Sequence, residues 1–119
     1  MMQVLLVAAG GAVGAVARYG LGLGAARLFG LAFPWGTLIV NVIGCLAMGL
    51  LAARLGPEQE SARLVLAVGF LGGFTTFSAF SLETVRLMQH QPGWAAAYVL
   101  ASVALCLGAC WAGLGLGRA

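Results

Sequence analysis

Residues 69–80 read GFLGGFTTFSAF and lie inside an apolar region long enough to cross a bilayer. They include three glycines, two threonines and a serine. Glycine gives up much backbone entropy in a helix, and threonine competes for backbone hydrogen bonds. Non-helical backbone at membrane depth is tolerated only where it is buried in protein or lines a cavity. The stretch therefore predicts a helix break that forms a site, with the rest of the chain as its scaffold.

The composition places this site in a membrane protein. Of the 119 residues, 62% are apolar and only 8% are charged, whereas about 25% of the residues in a soluble domain are charged. We expect one transmembrane domain covering residues 1–119. The net charge of +3 comes from scattered arginines, which are too few for a nucleic-acid-binding patch.

Four segments are long enough to span a bilayer, which requires about 20 mostly apolar residues. The predicted architecture is all-α, with transmembrane helices at the following approximate positions, the third broken near residues 72–76: about 4–29, about 35–53, about 63–88 and about 93–116.

The charges at the ends of these spans leave the orientation open. Four spans put both termini on one side, together with Arg54, Arg63 and Arg118, while Arg27 and Arg86 lie on the other. Three arginines against two is a weak positive-inside bias. Either one orientation is set by finer details, or both orientations insert, as an antiparallel dimer requires.

Small residues recur at helical spacing, as at Gly10, Gly14 and Gly22 in the first span. In a membrane, small residues let helices approach closely, because packing and hydrogen bonds replace the hydrophobic drive. Four short helices enclose little interior, so this pattern also favours oligomerisation.

Three strongly polar side chains inside the spans stand out, because such groups are costly there and are functional candidates. Arg18 either reaches the interface by snorkelling or provides a cationic lining. Asn41 either bonds another helix or donates to a dehydrated anion. Glu83 is either a snorkelling end residue that can pair with Arg86 or Arg18, or a titratable gate or proton-coupling acid.

Aromatic and hydroxyl groups follow the glycine-rich stretch. Phe77 and Phe80 are three residues apart and share a helix face, where their partly positive ring edges can flank an anion or simply pack. Thr76 and Ser78 add hydroxyl groups beside them. In the fourth span a mildly polar stripe recurs every four residues, at Tyr98, Ser102, Cys106 and Cys110.

This inventory favours anion passage over cation or proton-coupled transport. We see no catalytic triad, metal cluster or phosphate loop, and hence no enzyme. One rival is a small multidrug-type exporter, which needs a carboxylate deep in the first helix; that helix holds Arg18 and no acid. A second rival is a non-transporting membrane scaffold, which needs no aligned polar track.

Three motifs in order resemble those of the Fluc fluoride channels, also called the CrcB family. They are GGAVGAVARY at residues 10–19, GTLIVNVIG at residues 36–44 and the stretch at residues 69–80. The resemblance implies a passive, multi-pass, fluoride-selective channel of the cell (inner or plasma) membrane. Such a channel exports cytoplasmic fluoride and protects the cell from its toxicity. It further implies an antiparallel, dual-topology homodimer with two pores and a central structural sodium ion.

The resemblance also assigns roles to individual positions. The fluoride pore would comprise Asn41, Thr76, Phe77, Ser78, Phe80, Tyr98 and Ser102. Arg18 and Glu83 would belong to the vestibule or gate, and the backbone carbonyls of Gly72 and Thr75 would hold the sodium ion. Two positions depart from the family pattern: Ala79 stands where threonine is frequent, and Cys106 stands where a hydroxyl is commoner.

Overall fold

The computed structural model describes residues 1–119, and every regular element in it is a helix. Helix α3 consists of three consecutive parts, an α-helical turn, a π-helical segment and a second α-helical turn. The helices in chain order are α1 (Met2–Phe29), α2 (Trp35–Arg54), α3 (Glu60–Arg63, Leu64–Leu71 and Gly72–Phe74), α4 (Phe77–His90) and α5 (Pro92–Arg118).

These helices make four membrane-spanning segments, with α3 and α4 together forming the third. The segments contain 28, 20, 31 and 27 residues, and each reaches the length of about 20 that a bilayer requires. The predicted all-α fold with four spans and a broken third span is confirmed.

Helices α1 and α3 pack in parallel through glycines. A Cβ atom at Gly10 would overlap the Val65 carbonyl oxygen, and one at Gly14 would overlap the Phe70 carbonyl oxygen. Both contact sites advance in the same direction along the two helices. The glycines are thus required for backbone-to-backbone approach, as expected for helix packing in a membrane.

Helices α2 and α5 form the second close pair and also run in parallel. A Cβ atom at Gly113 would overlap the Leu46 carbonyl oxygen, and one at Gly117 would lie 3.1 Å from the Leu50 carbonyl oxygen, so the contacts advance in the same direction. A Cβ atom at Gly49 would likewise overlap the Cys110 carbonyl oxygen. The backbones of α2 and α5 therefore touch in the C-terminal half of each helix.

Helix α2 braces both halves of the broken span. One apolar cluster lies after the break and consists of Leu38, Leu87, Ala95 and Tyr98. The other lies before the break and consists of Val40, Leu71 and Phe74. Since Leu38 and Val40 belong to the same helix, α2 holds α3 and α4 in a fixed relation.

The break is narrower than predicted. Only Thr75 and Thr76 are extended, with φ/ψ of −85°/158° and −152°/119°. The break lies inside the predicted region near residues 72–76, but Gly72–Phe74 are helical and follow directly on the π-helical segment Leu64–Leu71. That π segment was not predicted; π-helical winding is rare and often lies at functional sites.

Little of the chain is buried. Only 16 of the 119 residues are buried, although most of the remaining helix surface is apolar. Such a surface must face lipid or another protein chain.

Candidate functional site at the broken third span

The backbone exposed by the break is paired with an asparagine side chain. The Asn41 amide nitrogen donates to the Thr76 carbonyl oxygen at 3.0 Å, and the Thr76 N–H donates to the Asn41 Oδ1 at 2.8 Å. An unpaired backbone group at membrane depth would cost several kcal/mol. Asn41 therefore completes the backbone hydrogen bonding of Thr76 in the way a neighbouring strand would.

Thr76 also caps the helix that follows. Its Oγ1 accepts a hydrogen bond from the Ala79 N–H at 3.1 Å and lies 3.3 Å from the Ser78 hydroxyl oxygen. Helix α4 consequently begins at Phe77 within the broken span, and the N-terminus of a helix carries partial positive charge from its aligned peptide dipoles. Anions are favoured at such a position.

Arg18 is bound to the other side of the break. Its Nε donates to the Gly73 carbonyl oxygen at 3.2 Å, at the C-terminal end of α3, where a cation is favourable. The half-buried guanidinium is therefore anchored to the break, whereas the predicted alternatives were snorkelling and a cationic lining.

Thr75 leaves one backbone acceptor free. Its hydroxyl donates to the Leu71 carbonyl oxygen at 2.9 Å, but its own carbonyl oxygen accepts no hydrogen bond in the chain. Gly72, the other predicted sodium ligand, is helical and exposed on the outer surface. Oxygen donors suit hard cations, so the free Thr75 carbonyl fits a sodium ligand.

A cavity of about 350 Å³, the central cavity, lies beside the break, between α2, α4 and α5. No charged side chain lines it, and its lining includes five of the predicted pore residues, Asn41, Thr76, Phe77, Phe80 and Ser102. The tertiary structure thus brings together residues that are up to 61 positions apart in the sequence. Their roles in permeation remain predictions.

Two hydrogen-bond donors are available to a ligand in this cavity. The Ser102 side chain is only 7% exposed, and its hydroxyl has no hydrogen-bond partner. The Asn41 amide uses one N–H on Thr76 and retains the second, because an amide nitrogen carries two. A buried donor without a partner is costly, which makes Ser102 a marker of a ligand site.

Aromatic rings form a continuous row along one side of the cavity. The Phe77 and Phe80 ring centroids are 5.5 Å apart, and those of Phe80 and Tyr98 are 5.1 Å apart. The predicted contact between Phe77 and Phe80 is present. Phe77 is 77% exposed, so its outer face lies against whatever surrounds this chain.

Glu83 accepts hydrogen bonds from two hydroxyl groups. Thr37 donates to Oε2 and Tyr98 donates to Oε1, each at 3.0 Å. The suggested pairing of Glu83 with Arg86 or Arg18 was wrong: its partners are the Thr37 and Tyr98 hydroxyls, and Arg18 binds the Gly73 carbonyl instead.

A second cavity, of about 560 Å³, lies on the other side of this group. Its lining includes Thr37 and Glu83 together with Arg86 and His90. Tyr98 is fully buried between the two cavities, with its hydroxyl on Glu83 and its ring on Phe80. The predicted track is therefore divided, since Ser102 and Cys106 line the central cavity and Tyr98 does not.

Some residues of the site were not singled out from the sequence. Thr37 binds Glu83, while Cys45 and Met48 line the central cavity. Four-residue spacing from Asn41 would have found Thr37 and Cys45, because residues at such intervals share a helix face. Ser78, by contrast, is exposed and absent from the cavity lining.

Together these features define the class of protein: an integral membrane protein with four spans, whose broken third span borders an uncharged, mainly apolar cavity with a few polar groups. Residues 5–114 match the family described as CrcB-like protein, Camphor Resistance (CrcB). The chain belongs to this family.

Similar proteins carry the name fluoride-specific ion channel FluC. One from Rhizobium etli is 50% identical over 123 aligned residues, which cover 100% of this chain and 98% of that protein. One from Caulobacter sp. strain K31 is 54% identical and covers 99% and 96%. One from Phenylobacterium zucineum is 53% identical and covers 99% and 97%.

Proposed function

We propose that this chain forms a passive, fluoride-selective ion channel that lets fluoride leave the cytoplasm and so protects the cell from fluoride toxicity. Family membership and full-length similarity to proteins named as fluoride-specific channels support this function. The protein is a transporter rather than an enzyme. Its site of action is the cell (inner or plasma) membrane.

The observation that carries the proposal is the buried, unpartnered hydroxyl of Ser102 at the central cavity. It faces the same space as the Asn41 amide and the N-terminus of α4. The cavity lining holds no carboxylate and no basic side chain. An environment of neutral donors without a fixed charge suits a small anion that has to enter and leave again.

Fluoride is strongly hydrated, so the channel must replace water with other donors along the path. Ser102 and the free Asn41 N–H provide hydrogen bonds, and the partial positive charge of the α4 N-terminus adds a favourable potential. The ring edges of Phe77 and Phe80 contribute further weak attraction. Several weak sites permit exit, which one strong site would prevent.

The second cavity would form the vestibule of this path. Arg86 at its lining offers a positive charge to an approaching anion, next to the carboxylate of Glu83. Between the cavities, Glu83 holds the Thr37 and Tyr98 hydroxyls. An anion that advances to this point must take over those donors from the carboxylate, so Glu83 acts as a gate. Arg18 acts on the path indirectly, because it positions the break.

A second copy of the chain would complete the pore. Phe77 is largely exposed in a single chain, and its ring can face an enclosed pore only if another subunit covers it. The small number of buried residues supports the same conclusion. The nearly balanced arginine distribution is compatible with an antiparallel, dual-topology homodimer, with two pores and a sodium ion held at the Thr75 and Gly72 carbonyls between subunits.

The test is fluoride efflux from liposomes that contain the purified protein, measured with a fluoride-selective electrode. Liposomes without protein provide the baseline, and chloride efflux measures selectivity. We expect fluoride release well above the baseline and no chloride release above it. Absence of fluoride efflux would refute the channel, and equal chloride efflux would refute its selectivity.

The two rival functions lack comparable support. An exporter of the small multidrug type needs a carboxylate deep in its first helix, and α1 holds no acidic residue. A scaffold does not require the buried, unpartnered hydroxyl of Ser102 at a cavity.

A further inference from the structure

Three sulfur-containing side chains line the central cavity together. Cys45 and Met48 are three residues apart on α2 and share a face of that helix, while Cys106 extends from α5. All three are half-buried, and both cysteines are free thiols. Cys110, the remaining cysteine, does not line this cavity.

The backbone contacts bring these sulfurs close. Helices α2 and α5 touch at Gly49 and Gly113, so side chains on their facing surfaces meet within a short distance. Cys45 and Cys106 each lie one helical turn before the contact of Gly49 with the Cys110 carbonyl, and both line the cavity. The candidate ligands in this cavity are therefore two thiols and one thioether. The chain contains no cluster of three or more His, Cys, Asp or Glu side chains.

We propose that Cys45, Met48 and Cys106 form a binding site for a soft monovalent metal ion of the copper(I)–silver(I) class, and that the bound ion obstructs the cavity. Thiolate and thioether sulfur select soft ions, whereas oxygen-ligated ions such as magnesium need carboxylates and carbonyls. No carboxylate or imidazole lines the cavity to favour another metal.

Charge balance determines how many protons are released when the metal ion binds. One thiol releases its proton to the buffer and forms a thiolate–metal bond, because the thiolate is the metal-binding form. The second thiol and the Met48 thioether bind as neutral donors. The complex is then neutral, which avoids the cost of a net charge in an apolar environment. One proton is released for each ion bound.

The bound ion would also interrupt anion passage. It lies in the same cavity as Ser102 and Asn41 and joins α2 to α5. This consequence rests on the proposed channel function, whereas metal binding itself does not.

The experiment titrates silver(I) nitrate into the detergent-purified protein in chloride-free buffer and counts the bound ions by native mass spectrometry. A pH indicator measures proton release. We expect one silver ion and one released proton per chain, loss of binding in Cys45→Ser and in Cys106→Ser, and about tenfold weaker binding in Met48→Leu, which removes one soft donor. Cys110→Ser is the matched control and should bind silver as the unmodified chain does.

A parallel assay adds silver nitrate to liposomes in fluoride medium. Silver should stop efflux through the unmodified protein and Cys110→Ser, and should leave Cys45→Ser and Cys106→Ser at their own untreated rates. Silver binding that survives Cys45→Ser and Cys106→Ser, or that disappears in Cys110→Ser, would overturn the site. Absence of efflux before silver is added would refute the channel instead, and the binding titration would still decide the metal site.

Discussion

Asn41 and Thr76 exchange two hydrogen bonds, at 3.0 and 2.8 Å, across the gap in the third span. One side chain thereby supports the break and lines the central cavity with one N–H left without a partner. Asn41 therefore contributes both to the stability of the break and to the proposed fluoride path, and substitutions there should affect both.

Replacement of Asn41 by aspartate should slow fluoride efflux by at least about tenfold, since a hydrogen bond to an ion contributes roughly 1.5–3 kcal/mol. The carboxylate can still accept from the Thr76 N–H, but it repels the Thr76 carbonyl oxygen and an incoming anion. Liposome efflux checks the rate, and thermal unfolding in detergent checks the fold. Efflux at the unmodified rate would argue against Asn41 as a pore donor.

Ser102→Ala should separate function from stability. Because the hydroxyl has no partner in the chain, its removal should leave thermal stability unchanged or slightly raised. Efflux should fall by about tenfold, as expected when a donor to an ion is lost. Ser61→Ala, at an exposed position in the first turn of α3 and outside both cavities, is the control and should change neither quantity. A loss of stability without a loss of efflux would contradict the assignment.

Phe80→Ile should slow efflux while the apolar volume is largely retained. The substitution removes the ring edge at the central cavity and the contact with Tyr98. Phe29→Ile is the matched control, because Phe29 ends α1 and lines neither cavity, although its ring packs on Trp35 beside the second one. Equal efflux from Phe80→Ile and the unmodified protein would show that packing, rather than the aromatic edge, is what this position supplies.

Gly113→Ala should destabilise the protein by about 1–3 kcal/mol, as overpacking commonly does, since its Cβ would overlap the Leu46 carbonyl oxygen. Gly108→Ala in the same helix places its Cβ in open space, and should leave stability unchanged or slightly improved, since alanine is the better helix former. Temperature-dependent loss of the soluble, monodisperse fraction measures both. Equal effects of the two substitutions would refute the close contact between α2 and α5.

Arg63→Cys tests dual topology. In a background where the three native cysteines are replaced by alanine, a membrane-impermeant thiol reagent applied to intact cells should label about half of the molecules, and labelling should be complete after permeabilisation. An antiparallel dimer requires chains inserted in both orientations. The weak arginine bias allows both, because positive charge sets the orientation only when one side clearly dominates. A single population would contradict the proposed dimer.

Much of the architecture could be read from local sequence. The apolar lengths predicted four spans, and the Gly-Thr stretch predicted the interruption, because hydropathy and backbone propensity depend on neighbouring residues. The extent of the break did not follow from propensity. Gly72–Phe74 remain helical because the π-helical segment runs directly into them, and such winding has no clear sequence signal.

The residues of the site could be predicted only in part, because local sequence does not determine how the helices pack against one another. Asn41, Phe80 and Ser102 were recognisable as polar or paired aromatic residues in apolar spans. Their partners were not, because hydrogen bonding between helices depends on rotation and depth. The sequence offered Arg86 or Arg18 as the partner of Glu83, whereas the folded chain supplies the hydroxyls of Thr37 and Tyr98.

By itself, the sequence determined that the chain lies in a membrane, crosses it four times and interrupts its third crossing, since composition and local propensity suffice for these properties. Only the tertiary structure decided that Asn41 pairs with the Thr76 backbone, that Arg18 binds Gly73, and that one cavity holds both an unpartnered hydroxyl and three sulfur atoms. Those relations arise where glycine contacts set the separation of helix pairs, and such a distance is a property of two packed surfaces rather than of either segment alone.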